Sequence, residues 1–376
     1  MYSFSGEHFI TSGDKIIFQP QIDLHDYEVC QAIYEAERNI GALARLGLKN
    51  HPLRPTILRN SIVRTAHFTT KIEQNKLDFK EVEALFDEYK KLSPREKTKI
   101  EVANVFAVYE YLYSLRPDAK FGAMDETVLK KIHLLLMKGL SGHPEGYRLI
   151  PVSLEDSSGD VMYVPPAFPE VPRYMASFFE WLFTAVTGLE HAYAETPNYS
   201  TKVHPLLVSA ITHHLVGYIH PFPDGNGRTA RAYSTLVGLI HTDLASIKDA
   251  FSVEEFIDKY IEEYYETLLL ADKGDLKPFV LFYLRCINLS LTKVLRELQR
   301  YDRIKHFREV LGQGNARIML EMLAQLPDGQ VVERRLFDQA LKASKDSITK
   351  NLKRLRELGA VKIGVKRGEY IVSIGE

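Results

Sequence analysis

The sequence predicts a mainly α-helical protein with one small β-hairpin in its helical part and a distinct module at its C-terminal end. Three observations carry that expectation. Apolar residues recur at helical spacing through most of residues 24–299, in segments cut by proline and glycine. One stretch, 146–164, departs from that period and reads as two short strands. After about residue 300 the texture changes to three short helices and then two strands, the pattern of a winged helix-turn-helix. The expected organisation is an N-terminal helical region at 1–115, a helical core at 116–299 and the winged helix-turn-helix domain at 300–376.

The bulk properties are those of a globular chain. It has 376 residues, 45% hydrophobic and 26% charged, with a net charge of −1. That balance excludes a polyanion binder acting through overall charge, so any basic surface is local. The start, MYSFSGEHFI, has no basic stretch followed by an apolar run, so no signal peptide is expected. Apolar runs are interrupted by charge, and no membrane span is expected. Cys30 and Cys286 lie far apart in apolar helical contexts. The expectation is two buried free thiols in a reducing cytoplasm.

Taken in order, residues 1–25 look irregular or extended. A helical pattern runs from Leu24 to Leu48 and is broken by Pro52 and Pro55. Thr56 is placed to cap a second helix through Phe68. A third fits 78–93, ended by Leu92-Ser93-Pro94, and a fourth fits 96–115, ended by Arg116-Pro117-Asp118. Asp125 caps a fifth over 126–140. Leu149–Val152 and Val161–Val164 flank a polar turn at 155–160, with Pro151 marking an edge strand. A plain connecting hairpin and an edge that accepts an extended peptide fit this pattern equally. Helices follow at 171–187, 203–219, 232–242, 252–271 and 275–299. In the last module they fit 317–326, 333–341 and a third capped by Ala343-Ser344 and ended by Gly359, before strands at 360–364 and 369–374. Residues 317–372 hold twelve Lys and Arg against seven Asp and Glu. DNA contact, protein contact and a merely solvated lysine face all fit that excess.

The chemistry is concentrated in His220-Pro221-Phe222-Pro223-Asp224-Gly225-Asn226-Gly227-Arg228-Thr229-Ala230-Arg231. Two prolines and two glycines forbid one continuous helix between the apolar runs on either side. The segment therefore reads as helix, tight loop, helix, with Gly-Asn-Gly-Arg at the start of the second helix. Unpaired N–H groups and the helix dipole favour an anion there. His220 can accept a proton near neutral pH, although a lone histidine is more often structural. Asp224 is a hard oxygen ligand suited to Mg²⁺ on phosphates, or else a helix cap. Gly225 and Gly227 let the backbone approach an anion, and Asn226 offers an amide donor. Arg228 and Arg231, three residues apart, share one helix face and can grip phosphate oxygens. Together these make a nucleotide-phosphate site with a base and a metal ligand.

Residues 220–231 resemble the full signature of the Fic family, HPFx(D/E)GNGRxxR, at every fixed position. The similarity extends over roughly 55–290. Gly146-Tyr147-Arg148, the hairpin and Tyr163-Val164-Pro165-Pro166 resemble the family's target-docking flap. Ile132-His133-Leu134 to Gly139-Leu140 and His204-Pro205-Leu206 resemble its flanking helices, and Tyr264-Tyr265 resembles a tyrosine pair near the nucleotide base. The resemblance implies a protein adenylyltransferase that moves AMP from ATP to a Ser, Thr or Tyr hydroxyl of a target protein, or of itself. It implies His220 as base and Asp224 as the Mg²⁺ ligand. Gly225, Asn226, Gly227 and Arg228 would cradle phosphates, and Arg231 would take the γ-phosphate. The phosphorylating Doc branch has Lys where this chain has Gly227. The phosphocholine-transferring branch shares the motif and is not set aside by it.

Thr69-Thr70-Lys71-Ile72-Glu73 resembles the inhibitory helix of many Fic proteins, (S/T)xxxE(G/N), in the class where it precedes the core. Read alone, Glu73 is a solvated carboxylate at a helix end. The resemblance implies that Glu73 pairs with Arg231, aided by Thr69, and blocks the γ-phosphate. Gln74 departs from the usual Gly or Asn. Some family members also use this Glu to remove AMP, and homodimers are common among them. The alternative function is a DNA-binding regulator, or one component of a toxin–antitoxin circuit, in which the Fic core is secondary.

Overall fold

The computed structural model describes residues 8–12, 15–20, 22–23, 25–90, 96–115, 124–140, 146–155, 159, 161–187, 203–240 and 252–375. The helix ends expected at Leu92-Ser93-Pro94 and Arg116-Pro117-Asp118 fall largely or wholly outside them, as does the centre of the turn at 155–160. The chain divides into two units, 1–291 and 292–376.

The first unit begins with strands β1 (Phe9–Ser12) and β2 (Lys15–Phe18), paired antiparallel with Phe9 opposite Phe18. Of the two readings of 1–25, irregular or extended, the described residues follow the extended one here. Four-residue strands give little periodicity; packing holds them, with Phe9 against Tyr174 at 4.7 Å and Phe18 against Trp181 at 5.1 Å. Helices α1 (Tyr27–Arg45), α2 (Arg54–Ile72), α3 (Phe79–Glu88), α4 (Lys97–Ser114) and α5 (Glu126–Leu136) follow. Asp26, Asp78 and Asp125 cap α1, α3 and α5 through their carboxylates. Thr56 does not cap α2. Pro55, whose fixed φ and missing N–H suit a first turn, stands inside the helix start instead. Cys30 is exposed, and only Cys286 is buried, which corrects the expectation of two buried thiols. The inward stripe of α1 is Val29, Ala36, Ile40 and Leu43, and Cys30 turns away from it.

Strands β3 (Leu154–Glu155) and β4 (Val161–Tyr163) form the expected hairpin, with Leu154 opposite Tyr163. The first strand starts later than the sequence suggests; Leu149 and Ile150 lie outside it and are exposed. Then come α6 (Val171–Thr187), α7 (Pro205–Ile219), α8 (Asn226–Ile240), α9 (Glu254–Lys259) and α10 (Ile261–Asp272). The single helix expected over 252–271 is broken at Tyr260 (φ −120°). Fourteen of the fifteen residues of α7 are buried, so it is the axis of the unit, apolar all round. Helix α8 lies against it, and α2, α4 and α5 pack on α8.

Helix α11 (Lys277–Leu311) is longer than the expected 275–299. Among the described residues it is the one helix long and apolar enough to cross a membrane by length and composition, which the sequence reading did not anticipate. More than half of its most apolar window is buried in the protein, where Phe279, Val280, Leu284, Ile287 and Leu291 belong to the core.

In the second unit, α12 (Asn315–Ala324), α13 (Arg335–Ala340) and α14 (Lys345–Glu357) surround a three-stranded antiparallel sheet. Its strands β5 (Val331–Glu333), β6 (Val361–Ile363) and β7 (Glu369–Val372) lie in the order β5-β7-β6. Strand β5 is not among the elements the sequence predicts; only its last residue, Glu333, falls in the helix expected over 333–341. Its three residues, with Val332 alone facing inward, are too few to show a period. Met319, Leu320, Leu323, Phe337, Ile348, Leu352, Leu355 and Val372 form this unit's own core.

Candidate active site

The loop between α7 and α8 closes on itself. Asn226 accepts from the Phe222 N–H at 2.8 Å and donates to the Phe222 carbonyl at 2.7 Å. The sequence offered this amide to a phosphate. In the structure it is buried and engaged with the loop backbone, so its visible work is to fix the turn. Gly225 has φ +75°, and a Cβ there would stand 2.6 Å from Met137 Sδ. A side chain at 225 is thus excluded both by backbone and by space. His133, buried on α5, stacks on Phe222 at 3.7 Å, and its Nε2 lies 3.0 Å from the Asp224 carbonyl.

His220 terminates α7 in the left-handed region, φ 51°. Its Nδ1 lies 3.3 Å from the Gly217 carbonyl, so that nitrogen carries the proton and Nε2 is the acceptor. Burial pushes its pKa down to about 4, aided by the Arg148 charge and opposed by the Gly217 carbonyl, Glu73 and Asp224. The imidazole is therefore neutral at pH 7. Asp224 sits at the rim with its side chain 54% exposed, and its Oδ1 takes the Gly225 N–H at 2.5 Å.

The two arginines are both buried and both face carboxylates. Arg228 Nη1 is 3.9 Å from Glu101 on α4 and Nη2 is 3.7 Å from Asp224. Its Nε meets no acceptor among the described residues. Arg231 Nη2 donates to Glu73 Oε1 at 2.6 Å and to the Thr69 carbonyl at 3.1 Å, while Nε donates to Thr69 Oγ1 at 2.7 Å. Burial is the largest single influence on the Arg231 pKa and lowers it; the Glu73 charge and hydrogen bond, with Tyr264 and Glu254, together outweigh it, and the net shift is upward. Glu73 Oε1 stands 2.5 Å from where a Cβ on Gly227 would be. The carboxylate therefore reaches the first turn of α8, the place where the sequence predicts an anion.

Glu73 is held there by the way α2 ends. The Gln74 N–H donates to Lys71 O at 2.8 Å and the Asn75 N–H to Thr70 O at 3.0 Å, the paired bonds of a Schellman motif. Gln74 takes the left-handed position, φ 65°, usually occupied by Gly or Asn. Asn75 then donates to Glu101 at 2.8 Å. The segment after α2 is thereby joined to both arginines, to Arg231 through Glu73 and to Arg228 through Asn75 and Glu101.

Behind Arg231, Glu254 accepts from Tyr109 at 2.9 Å and from Thr65 at 3.2 Å, and burial raises its pKa. Tyr264 is buried with its hydroxyl 2.9 Å from His213, while Tyr265 is half-exposed. The two rings lie 5.1 Å apart.

Arg148 was not singled out as a site residue. It is 2% exposed. Its Nε donates to the His220 carbonyl at 2.8 Å, its Nη2 to Pro166 O and its Nη1 to Ile150 O, and its own N–H donates to Pro221 O at 2.8 Å. One side chain thus ties both roots of the β3–β4 hairpin to the residue that carries the base. The only sequence signal was its place in Gly-Tyr-Arg before the hairpin.

Residues 123–237 match the Fic/DOC family. The chain is 31% identical over 139 residues to a protein adenylyltransferase Fic of Nematostella vectensis, covering 37% of this chain and 28% of that one. It is 31% identical over 129 residues to the Drosophila willistoni protein of the same name, covering 34% of this chain and 22% of that one. The chain thus spans less than a third of the length of these curated relatives. Among solved structures, a Fic family protein from Desulfovibrio desulfuricans G20 aligns over 96% of this chain and 99% of its own, with a TM-score of 0.60 and 25% identity. A Fic domain containing signaling protein from Bacteroides thetaiotaomicron shares the fold over 72% of this chain and 97% of its own, at 18% identity and a TM-score of 0.52. The loop from His220 to Arg231 and the helices that carry it are those of a Fic/DOC family domain, which this chain carries at residues 123–237.

Proposed function

We propose that this protein is an adenylyltransferase acting on protein hydroxyls, held in a resting state by Glu73. The observation that carries the reading is the pairing of a neutral His220 with an anion position on α8 that Glu73 and Arg231 fill between them. A target Ser, Thr or Tyr hydroxyl gives its proton to His220 Nε2 as its oxygen attacks the α-phosphorus of ATP. The bond from that phosphorus to the bridging oxygen breaks, and pyrophosphate leaves. Arg228, whose buried Nε has no protein acceptor among the described residues, and the N–H groups at the start of α8 stabilise the developing charge. Arg231 receives the γ-phosphate once Glu73 has moved. Tyr265 would meet the base, a role its half-exposed ring beside the buried Tyr264 supports.

Asp224 is the residue that would hold Mg²⁺. No group of three or more metal-binding side chains occurs among the described residues, and one carboxylate is the usual protein share of a magnesium site on phosphates. The Gly225 N–H fixes the direction of that carboxylate. When bound, the ion neutralises phosphate charge. The β3–β4 hairpin, anchored by Arg148, is the element that would present the target segment, through main-chain pairing.

The test is transfer from ATP labelled on the α-phosphate, with the protein itself and a cell lysate as targets. Glu73→Gly should label and Glu73→Gly/His220→Ala should not. Equal labelling by the two rejects the catalytic role of His220. An adduct whose mass is not AMP rejects adenylyl transfer.

A further inference from the structure

We propose that the second unit, residues 292–376, is a double-stranded DNA-binding module in which α14 enters the major groove and the β6–β7 loop grips the flanking backbone. This goes beyond the transferase reading and does not depend on it.

The first observation is charge. Residues 292–376 hold 18 Lys and Arg against 11 Asp and Glu, whereas residues 1–291 hold 30 against 38. The near-neutral whole conceals a unit of +7 beside one of −8. A local positive excess of this kind favours a polyanionic partner.

The second observation is the form that carries the charge. Helices α13 and α14 are joined by Leu341–Ser344 and packed together through Phe337, Leu341, Ile348 and Leu352. Ser344 caps α14 by accepting from the Ser347 N–H at 3.2 Å. Helix α14 buries Ile348, Leu352 and Leu355, which leaves Thr349, Lys350 and Lys353 exposed along its middle, with no acidic residue between them. A hydroxyl and two ammonium groups on successive turns suit base edges and phosphates in a groove wide enough to admit a helix.

The third observation is a fixed spacing. Arg334 donates from Nη2 to the Lys345 carbonyl at 2.6 Å, at the start of α14, and from its backbone N–H to the Gly368 carbonyl at 2.8 Å, at the end of the β6–β7 loop. That loop is itself closed, by Gly364 N–H to Glu369 O at 2.9 Å and Lys366 N–H to the Glu369 carboxylate at 3.0 Å. Lys366 and Arg367 are exposed on it, and Val365 is 98% exposed at its tip. A cleft between that loop and the start of α13 is lined by Arg334, Arg335, Lys366 and Arg367, with Glu333 and Glu369 pairing two of them. A helix and a basic loop locked at one distance are what straddling a groove and its phosphates requires.

The test uses the full chain and fluorescence anisotropy with short mixed-sequence duplexes over a salt series. Binding should weaken linearly on a logarithmic salt axis. Lys350→Glu/Lys353→Glu and Lys366→Glu/Arg367→Glu should each weaken it about tenfold or more, and each lost phosphate contact should flatten the slope by about 1. The same charge change in the first unit, Lys49→Glu/Lys80→Glu, should leave affinity within about twofold of wild type. All these side chains are exposed, and an unchanged melting curve verifies folding; the alanine pairs replace any variant that melts early. The proposal is overturned by duplex binding that is absent at low salt, by unit-two variants that lose no more than the first-unit control, or by tighter binding to single-stranded DNA or RNA of the same sequence.

Discussion

Arg231 donates to Glu73 across 2.6 Å from inside the core, and the same Glu73 oxygen fills the space a Cβ on Gly227 would need. The pair is asymmetric, since the arginine side chain is 3% exposed and the glutamate 33%. Removing Glu73 therefore leaves the buried guanidinium held by Thr69 and not stranded. Glu73→Gly should raise self-modification about tenfold or more, because the competitor for Arg231 is gone. The gain should appear with a tighter ATP dissociation constant by calorimetry. Unchanged labelling together with unchanged ATP affinity removes Glu73 as the restraint.

The residue after Glu73 makes a separate prediction. Gln74 sits at φ 65° in a position where glycine carries no Cβ penalty. Gln74→Gly should stabilise the end of α2 by about 1 kcal/mol. Hydrogen exchange of the Asn75 N–H, which donates to Thr70 O, should slow accordingly, and self-modification should not rise. Faster exchange would mean that the glutamine side chain, and not the backbone, secures this turn.

How much of this was legible follows from where the residues lie in the chain. His220 to Arg231 are contiguous, so one loop announced its own chemistry. Thr69 and Glu73 could be placed against Arg231 only through family resemblance, because nothing in the spacing links residues about 160 apart. Several contacts that hold the site in place carried no signal: Asn75 to Glu101, and Glu254 to Tyr109 and Thr65, join ordinary polar residues from distant segments. The fold was legible where helices are long and capped by aspartate. It was not legible in β1, β2 and β5, each too short for periodicity to register.

Arg148 should behave as a positioning residue. Its guanidinium serves three carbonyls, on His220, Ile150 and Pro166. Lysine keeps the charge but not the planar fork. In the Glu73→Gly background, Arg148→Lys should lower kcat for transfer about tenfold or more and leave the ATP dissociation constant within about twofold, since no phosphate position depends on it. A loss carried wholly by ATP affinity would place Arg148 in nucleotide binding and refute this assignment.

The low pKa of His220 fixes a pH dependence with a definite sign. The folded value is about 4, against about 6.5 for an unperturbed histidine, so the unfolded chain takes up this proton first. Acidification from about pH 6.5 to 4 should cost up to about 3 kcal/mol of stability through this group, and His220→Asn should remove that part of the slope. For catalysis the neutral imidazole is the competent form, so transfer by Glu73→Gly should be level from about pH 6.5 to 8 and fall only well below pH 6. Glu73 is one of the groups that raise the His220 pKa, and its removal moves the acid limb to lower pH, not higher. A half-maximal rate near pH 6.5 would show that the reacting histidine is solvated, against the buried, Gly217-bonded ring described here.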